Sequence, residues 1–293
     1  MIYDITLRLS YHYDSPAMGG RHLVCIRPMD DGSDQRVIAS LLEVEPRPDE
    51  ELNWKDFFQN NMMEFNLHAP HEAVSVLLRA RVERFLAAAL PADGLLIGDL
   101  PAVLQRSRDI GPNAPLHFLS ASFRVPQDAA MAQFAQALIT ADMSVQAAVL
   151  AVGSALYRHM RFDPKATTVD TPAGEAFRKR HGVCQDFSHI MIGCLRGVGI
   201  PAAYVSGFLR TEPPPGAARL EGADAMHAWV RAWCGPDLGW IEFDPTNDVL
   251  AGEDHVVVAR GRDYSDVAPI KGMMRSSGRQ KSRQAVDMIP VLD

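Results

Sequence analysis

The period of hydrophobic and polar positions changes near residue 126. Before it, Ile5, Leu7 and Leu9 alternate with polar residues, residues 23–26 form an apolar run closed by Pro28, and residues 36–44 stop before Pro46 and Pro48. Residues 65–67, 73–78 and 80–85 offer further strands, separated by turn clusters such as Asp30-Asp31-Gly32-Ser33-Asp34. A period of two with turns at this spacing predicts a β-meander or sandwich. After residue 126 the pattern is largely helical. Residues 129–140 are Ala-rich, and a second helix runs from a cap at Asp142 to about Met160. Thr171 and Pro172 have the form of an N-cap followed by an N1 proline, opening a short helix toward Arg180. Phe187, Ile190, Met191, Cys194, Leu195 and Val198 then recur at helical spacing as one buried stripe, ended by Gly197, Gly199 and Pro201. Residues 202–209, 225–233 and 240–243 read as strands, residues 212–216 (Glu-Pro-Pro-Pro-Gly) as a loop, and residues 256–258 and 286–291 as closing strands. The pattern predicts an α+β chain in two parts. A β-rich, sandwich-like domain covers 1–125, and a mixed helix-and-sheet domain with a C-terminal strand extension covers 126–293.

Composition narrows the function. The 293 residues are 47% hydrophobic and 22% charged, an ordinary globular balance, and the length suits two cores or one large one. With 29 Lys plus Arg against 36 Asp plus Glu, the net charge of −7 argues against a nucleic-acid partner. Residues 260–284 carry seven Lys/Arg against two Asp and read as a solvated face, because no aromatic interleaving accompanies them. The first residues lack a signal-peptide pattern and no apolar run approaches membrane-spanning length, so the expectation is a soluble cytoplasmic protein without a membrane partner.

Several motif letters fail on physical grounds. Gly197-Val198-Gly199-Ile200-Pro201-Ala202 spells a dinucleotide fingerprint, but it ends a helix instead of following a strand. Ser206 lacks the first glycine of a nucleophile elbow. Cys25, Cys184, Cys194 and Cys234 are widely separated and make no C-x-x-C pair, so neither a disulfide framework nor a structural metal is expected, and no cofactor motif is present.

The cysteines separate by position. Cys194 lies on the buried stripe and Cys25 inside a β run, so both read as small core hydrophobes. Cys234 sits in a turn beside Gly235 and reads as incidental and exposed. Cys184 lies off the stripe, just after Gly182, in the first turn of the amphipathic helix. Unpaired N–H groups and the positive end of the helix dipole favour a thiolate there, although Asp186 competes for the same dipole. A base is available in strand register. Pairing Trp233 with Trp240 across the turn at 234–239 sets Trp229 opposite Asp244 and His227 diagonal to Asp244 on one face, within bridging reach of side chains. Asp244 would then orient His227 while the other ring nitrogen faces Cys184, the geometry of a nucleophile–base–carboxylate triad. His181 is the rival base but has no acidic partner in phase. His189 sits too far round the helix to meet Cys184. Trp229, Trp233 and Trp240 suit either a substrate cleft or packing around the triad.

At these residues the chain resembles the transglutaminase-like superfamily of papain-like enzymes, in its bacterial branch. The matching stretches are Gly182-Val183-Cys184-Gln185-Asp186-Phe187-Ser188-His189, Leu195 through Gly207, His227-Ala228-Trp229, Gly239-Trp240 and Asp244-Pro245-Thr246-Asn247. The N-terminal part resembles the β-rich region that precedes the core in bacterial members, with Gln59 where glycine is expected. Ala203 replaces a customary arginine. The resemblance implies a papain/transglutaminase-like core, in which a helix carrying Cys184 packs on an antiparallel sheet carrying His227 and Asp244. It implies a cysteine peptidase or amidase acting on a peptide or protein through a thioester acyl-enzyme, with the Cys184 N–H in the oxyanion hole. Glutamine acyl transfer to an amine is the alternative, and a non-catalytic binding module is another.

Overall fold

A computed structural model describes residues 1–32, 34–85, 90–91, 93–211 and 224–291. The 212–216 segment expected as a loop lies outside the described residues. The first part holds β1 (Ile2–Val24), β2 (Gln35–Glu45), β3 (Glu50–Lys55), β4 (Asn61–Leu67) and β5 (His71–Arg84). Next come α1 (Leu100–Arg106), a 3₁₀ turn at Pro115–Phe118, α2 (Ala129–Gln136), α3 (Val145–His159), β6 (Arg161–Phe162), α4 (Ala173–Lys179), β7 (His181–Gly182) and α5 (Cys184–Gly197). The chain continues through β8 (Ala202–Leu209), β9 (Ala225–Trp233), β10 (Trp240–Asp244), β11 (Val249–Leu250) and β12 (His255–Gly261). It closes with α6 (Tyr264–Val267), β13 (Ile270–Arg275) and β14 (Gln280–Pro290).

β1 organises the first sheet, whose order is β2-β5-β1-β4-β3, with β13 and β14 also paired to β1. Tyr3, Ile5, Leu7 and Leu9 are buried, as their alternation predicts. The polar stretch near residues 14–21 looked like a break between two strands. It is instead a bend within one strand, where register shifts and Gly19, at φ 61°, redirect the chain from its β5 and β14 neighbours to β4 and β13. The β3–β4 connection places Gln59 at φ 68°, a left-handed conformation that explains why glycine is the expected residue there.

The second sheet is antiparallel throughout, in the order β11-β10-β9-β8-β12. α5 packs on β8 and β9, with α2, α3 and α4 around it. Its stripe residues Phe187, Ile190, Met191, Cys194 and Leu195 are fully buried in one core with Ala202, Tyr204, Phe208, Ala228 and Val230. Burying a large apolar side chain contributes about 1.5–3 kcal/mol, so this contact anchors the start of α5 to the sheet.

β12 ends the second sheet, and side-chain amides from the first part cover its edge. Buried Gln35 donates to the Val257 carbonyl (2.8 Å) and accepts from the Val257 N–H (2.8 Å). Asn60 does the same at Arg260, 2.8 Å in each direction. Each amide thus imitates a paired strand residue and shields the edge from other chains.

Four local expectations change. α1 and the 3₁₀ turn occupy a stretch read as β. α3 is capped by Ser144, whose hydroxyl accepts from Ala147 N–H at 3.3 Å, and not by Asp142. α4 starts one residue late, with Pro172 as N-cap, because the Thr171 hydroxyl already accepts from Thr168 N–H at 2.9 Å. Within 260–284, Arg260 is not solvated. It is largely covered and ion-paired to Glu242 (2.9 Å) and Asp31 (3.2 Å). Among the described residues, no helix is long and apolar enough to cross a membrane.

Candidate active site

Local packing sets the start of α5. A Cβ on Gly182 would lie 2.6 Å from the Asp186 side chain, so glycine leaves room for that carboxylate to fold back. Asp186 accepts from Val183 N–H (2.8 Å) and from the Thr167 hydroxyl (2.6 Å). Burial raises its pKa despite these bonds. Cys184 is the first residue of α5, half-buried and unbridged, where the positive end of the helix meets solvent.

β9 and β10 pair in the expected register, with Trp240 opposite Trp233 and Phe243 opposite Val230. That register brings His227 to Asp244, and His227 Nε2–H donates to Asp244 Oδ2 at 2.7 Å. The remaining ring nitrogen, Nδ1, faces away from Asp244, and the Cys184 thiol lies close enough to the ring to raise its pKa. Burial disfavours the imidazolium. Hydrogen bonds and charge from Asp244 and Cys184 outweigh it and hold the His227 pKa up at about 10.

Asp244 is held from several sides. Oδ1 accepts from the backbone N–H groups of Thr246 (2.8 Å) and Asn247 (3.3 Å), and Oδ2 from Asn247 Nδ2 (2.7 Å). His255 Nε2 adds a further contact to Oδ2 at 3.2 Å. Burial alone would raise its pKa, but donation from His227, His255 and Asn247 keeps the carboxyl well below the usual carboxylate range. Asp244 is therefore an anion, and His227 carries its proton on Nε2 in the neutral state, with Nδ1 free to accept.

His255 was not identified from sequence. Its signal was a lone histidine opening the apolar run Val256-Val257-Val258. Asn247 and Gly207 were noted within matching stretches without a role. A Cβ on Gly207 would sit 2.3 Å from the Trp229 indole and 2.2 Å from the Val256 carbonyl, so glycine lets Trp229 lie across β8. There the indole meets the His255 ring edge-on at 5.2 Å.

The other candidates fall away. His181 is exposed on β7. His189 accepts from Tyr264 N–H at 3.2 Å, and burial pushes its pKa down to about 4. Cys25 and Cys194 are buried, with burial pushing each thiol up to about 12. Cys234 corrects an expectation. It is buried and its thiol also rises to about 12, because the turn folds under the sheet where Cys234 donates to Ala232 O at 3.7 Å. Trp229 is fully buried and donates to Glu242 at 2.7 Å, so it packs behind the site and does not line a cleft. Trp240 stacks on the Arg231 guanidinium at 4.1 Å. Among the described residues, no three His, Cys, Asp or Glu side chains converge to hold a metal ion.

The family model of the transglutaminase-like superfamily matches residues 132–245, and that of the bacterial transglutaminase-like N-terminal region matches residues 3–83. An uncharacterized protein of Mycobacterium tuberculosis is 30% identical, covering 98% of this chain and 92% of its own length. One from Mycobacterium leprae is 30% identical over 92% and 91%. A solved structure from Cytophaga hutchinsonii, named a "putative cysteine protease", has a TM-score of 0.75 at 21% identity, covers 98% of this chain and 90% of that one, and shares the fold. The chain belongs to the transglutaminase-like superfamily, with the bacterial transglutaminase-like N-terminal region preceding its core.

Proposed function

We propose that the protein is a cysteine hydrolase that cleaves amide bonds in a peptide or protein, with Cys184 as nucleophile, His227 as base and acid, and Asp244 as the carboxylate that orients His227. The observation that carries this reading is the bridging His227 ring, bound to buried Asp244 at 2.7 Å and within reach of a half-buried cysteine at a helix N-terminus. The raised pKa of His227 favours the imidazolium at neutral pH, so the ring already holds the proton that Cys184 gives up, and the sulfur attacks the amide carbonyl. The carbonyl electrons move to oxygen, where the Cys184 backbone N–H and the helix N-terminus stabilise the oxyanion. Collapse expels the amine as His227 returns the proton to its nitrogen, leaving a thioester. His227 then deprotonates water, which attacks the thioester, and the Cys184 thiolate departs. The chemistry requires a free thiol, and all four cysteines are unpaired, which fits a reducing cytoplasm.

A peptide library incubated with the protein and a labelled primary amine tests the reading. New peptide termini from the wild type, absent with Cys184→Ala, are expected. Amine uptake with ammonia release would replace hydrolysis by acyl transfer. Identical peptide pools from both proteins would refute a cysteine enzyme.

A further inference from the structure

We infer that His255 is a positioning residue for the Cys184–His227–Asp244 site: it is a second histidine donor that fixes the Asp244 carboxylate for His227. The inference rests on the proposed triad and adds a member that does not touch the nucleophile.

Hydrogen-bond roles define the His255 ring. The Gly252 N–H donates to His255 Nδ1 at 3.3 Å, so Nδ1 is an acceptor and the ring hydrogen resides on Nε2. That Nε2–H donates to Asp244 Oδ2 at 3.2 Å, the same oxygen that receives His227 at 2.7 Å. His227 and His255 therefore converge on one buried oxygen from strands β9 and β12, with β8 between them in the sheet. Both rings are almost wholly buried, with centroids 6.3 Å apart.

The sheet is built to hold this convergence. Gly207, on β8, pairs with His227 on one side and Val257 on the other. Its missing side chain gives Trp229 the space above β8, and the indole supports the His255 ring from the side. Trp229 is in turn held by Glu242, which is ion-paired to Arg260 at 2.9 Å. A carboxylate bound only by its own loop can still swing toward Asn247 and away from β9. A donor from the far strand removes that freedom. His255 is not an alternative base, because its two nitrogens are occupied by Gly252 and Asp244.

The test measures the rate of Cys184 alkylation by iodoacetamide, read on the Cys184 peptide by mass spectrometry, with urea midpoints alongside. In H255L, which keeps bulk but loses the donor, the rate is expected to fall about tenfold, as for loss of a hydrogen bond to a charged group at the weak end of its range. H255Q places an N–H at the position of Nε2 and is expected to alkylate within about twofold of the wild type, a rescue that packing alone does not produce. H255N is too short to reach Oδ2 and should behave like H255L; it carries the comparison if H255L does not fold. Equal slowing in H255Q and H255N, or a wild-type rate in the donorless variants, would overturn the inference. H227A separates the two readings. A slow H227A beside a fast H255L removes only the role of His255, whereas a wild-type rate in H227A removes the triad and that role with it.

Discussion

Asp244→Asn removes one negative charge from a side chain with no exposed surface while keeping its shape. The rise of the His227 pKa from 6.5 to about 10 corresponds to about 5 kcal/mol favouring the imidazolium, shared between Asp244 and Cys184. Losing a hydrogen bond to a charged group costs about 1.5–3 kcal/mol, or about a ten- to hundredfold loss in the stabilisation that accompanies proton transfer from Cys184. A second effect adds to it. The amide cannot accept on both sides, so its NH₂ meets either His227 Nε2–H or the donors of Thr246 and Asn247. Where it faces His227, the ring proton moves to Nδ1, the nitrogen that must accept from Cys184. Loss of the correct tautomer brings the total fall in kcat to about 10⁴ in a serine-protease triad, and a fall in the same direction is expected here. The assay is the second-order alkylation rate of Cys184 at neutral pH, with circular dichroism to verify folding. A folded D244N protein that alkylates within about threefold of the wild type would refute the orienting role, because such a role requires at least the charge effect.

Further consequences follow from the same geometry. The folded-state pKa of His227 lies above its ordinary value, so the ring's contribution to stability is full below pH 6.5 and is lost as pH rises through about 10. Urea unfolding should therefore show the wild type losing about 2 kcal/mol more than His227→Gln between pH 6.5 and 8.5, and parallel curves would contradict the ion-pair assignment. In the native protein iodoacetamide should label Cys184 alone, since Cys25, Cys194 and Cys234 are buried with thiols pushed up to about 12; prompt labelling of Cys234 would contradict its placement. Gln35→Leu takes the Gln35 bond from the Val257 N–H and the Met29 carbonyl, while the Val257 carbonyl keeps the Met29 N–H, and should cost about 2–4 kcal/mol in a denaturant melt; a neutral result would show that these groups are satisfied otherwise. Gln59→Gly relieves a left-handed side chain at φ 68° and should raise stability by about 0.5–1 kcal/mol, with a loss counting against that backbone conformation.

The sequence by itself determined what depends on neighbours a few residues apart. The 3.6-residue stripe from Phe187 to Leu195 specified α5, and Gly182 placed Cys184 at its first turn. Parity within two short strands joined by one turn was enough to bring His227 to Asp244, because a register error of one residue would turn every side chain to the other face. Tertiary structure decided the contacts whose partners lie far apart in the chain. Arg260 reads as solvated among other basic residues, yet Asp31, 229 residues away, pairs with it where both side chains are largely covered. The break near residue 18 became a bend because β4 and β13 arrive to pair with the second half of β1. His255 reaches Asp244 only because β12 lies beside β8 and Gly207 leaves the space through which the sheet closes around Trp229. Local pattern encodes period and register, whereas convergence of three strands on one carboxylate oxygen is a property of how the sheet curls, and no short window of residues contains it.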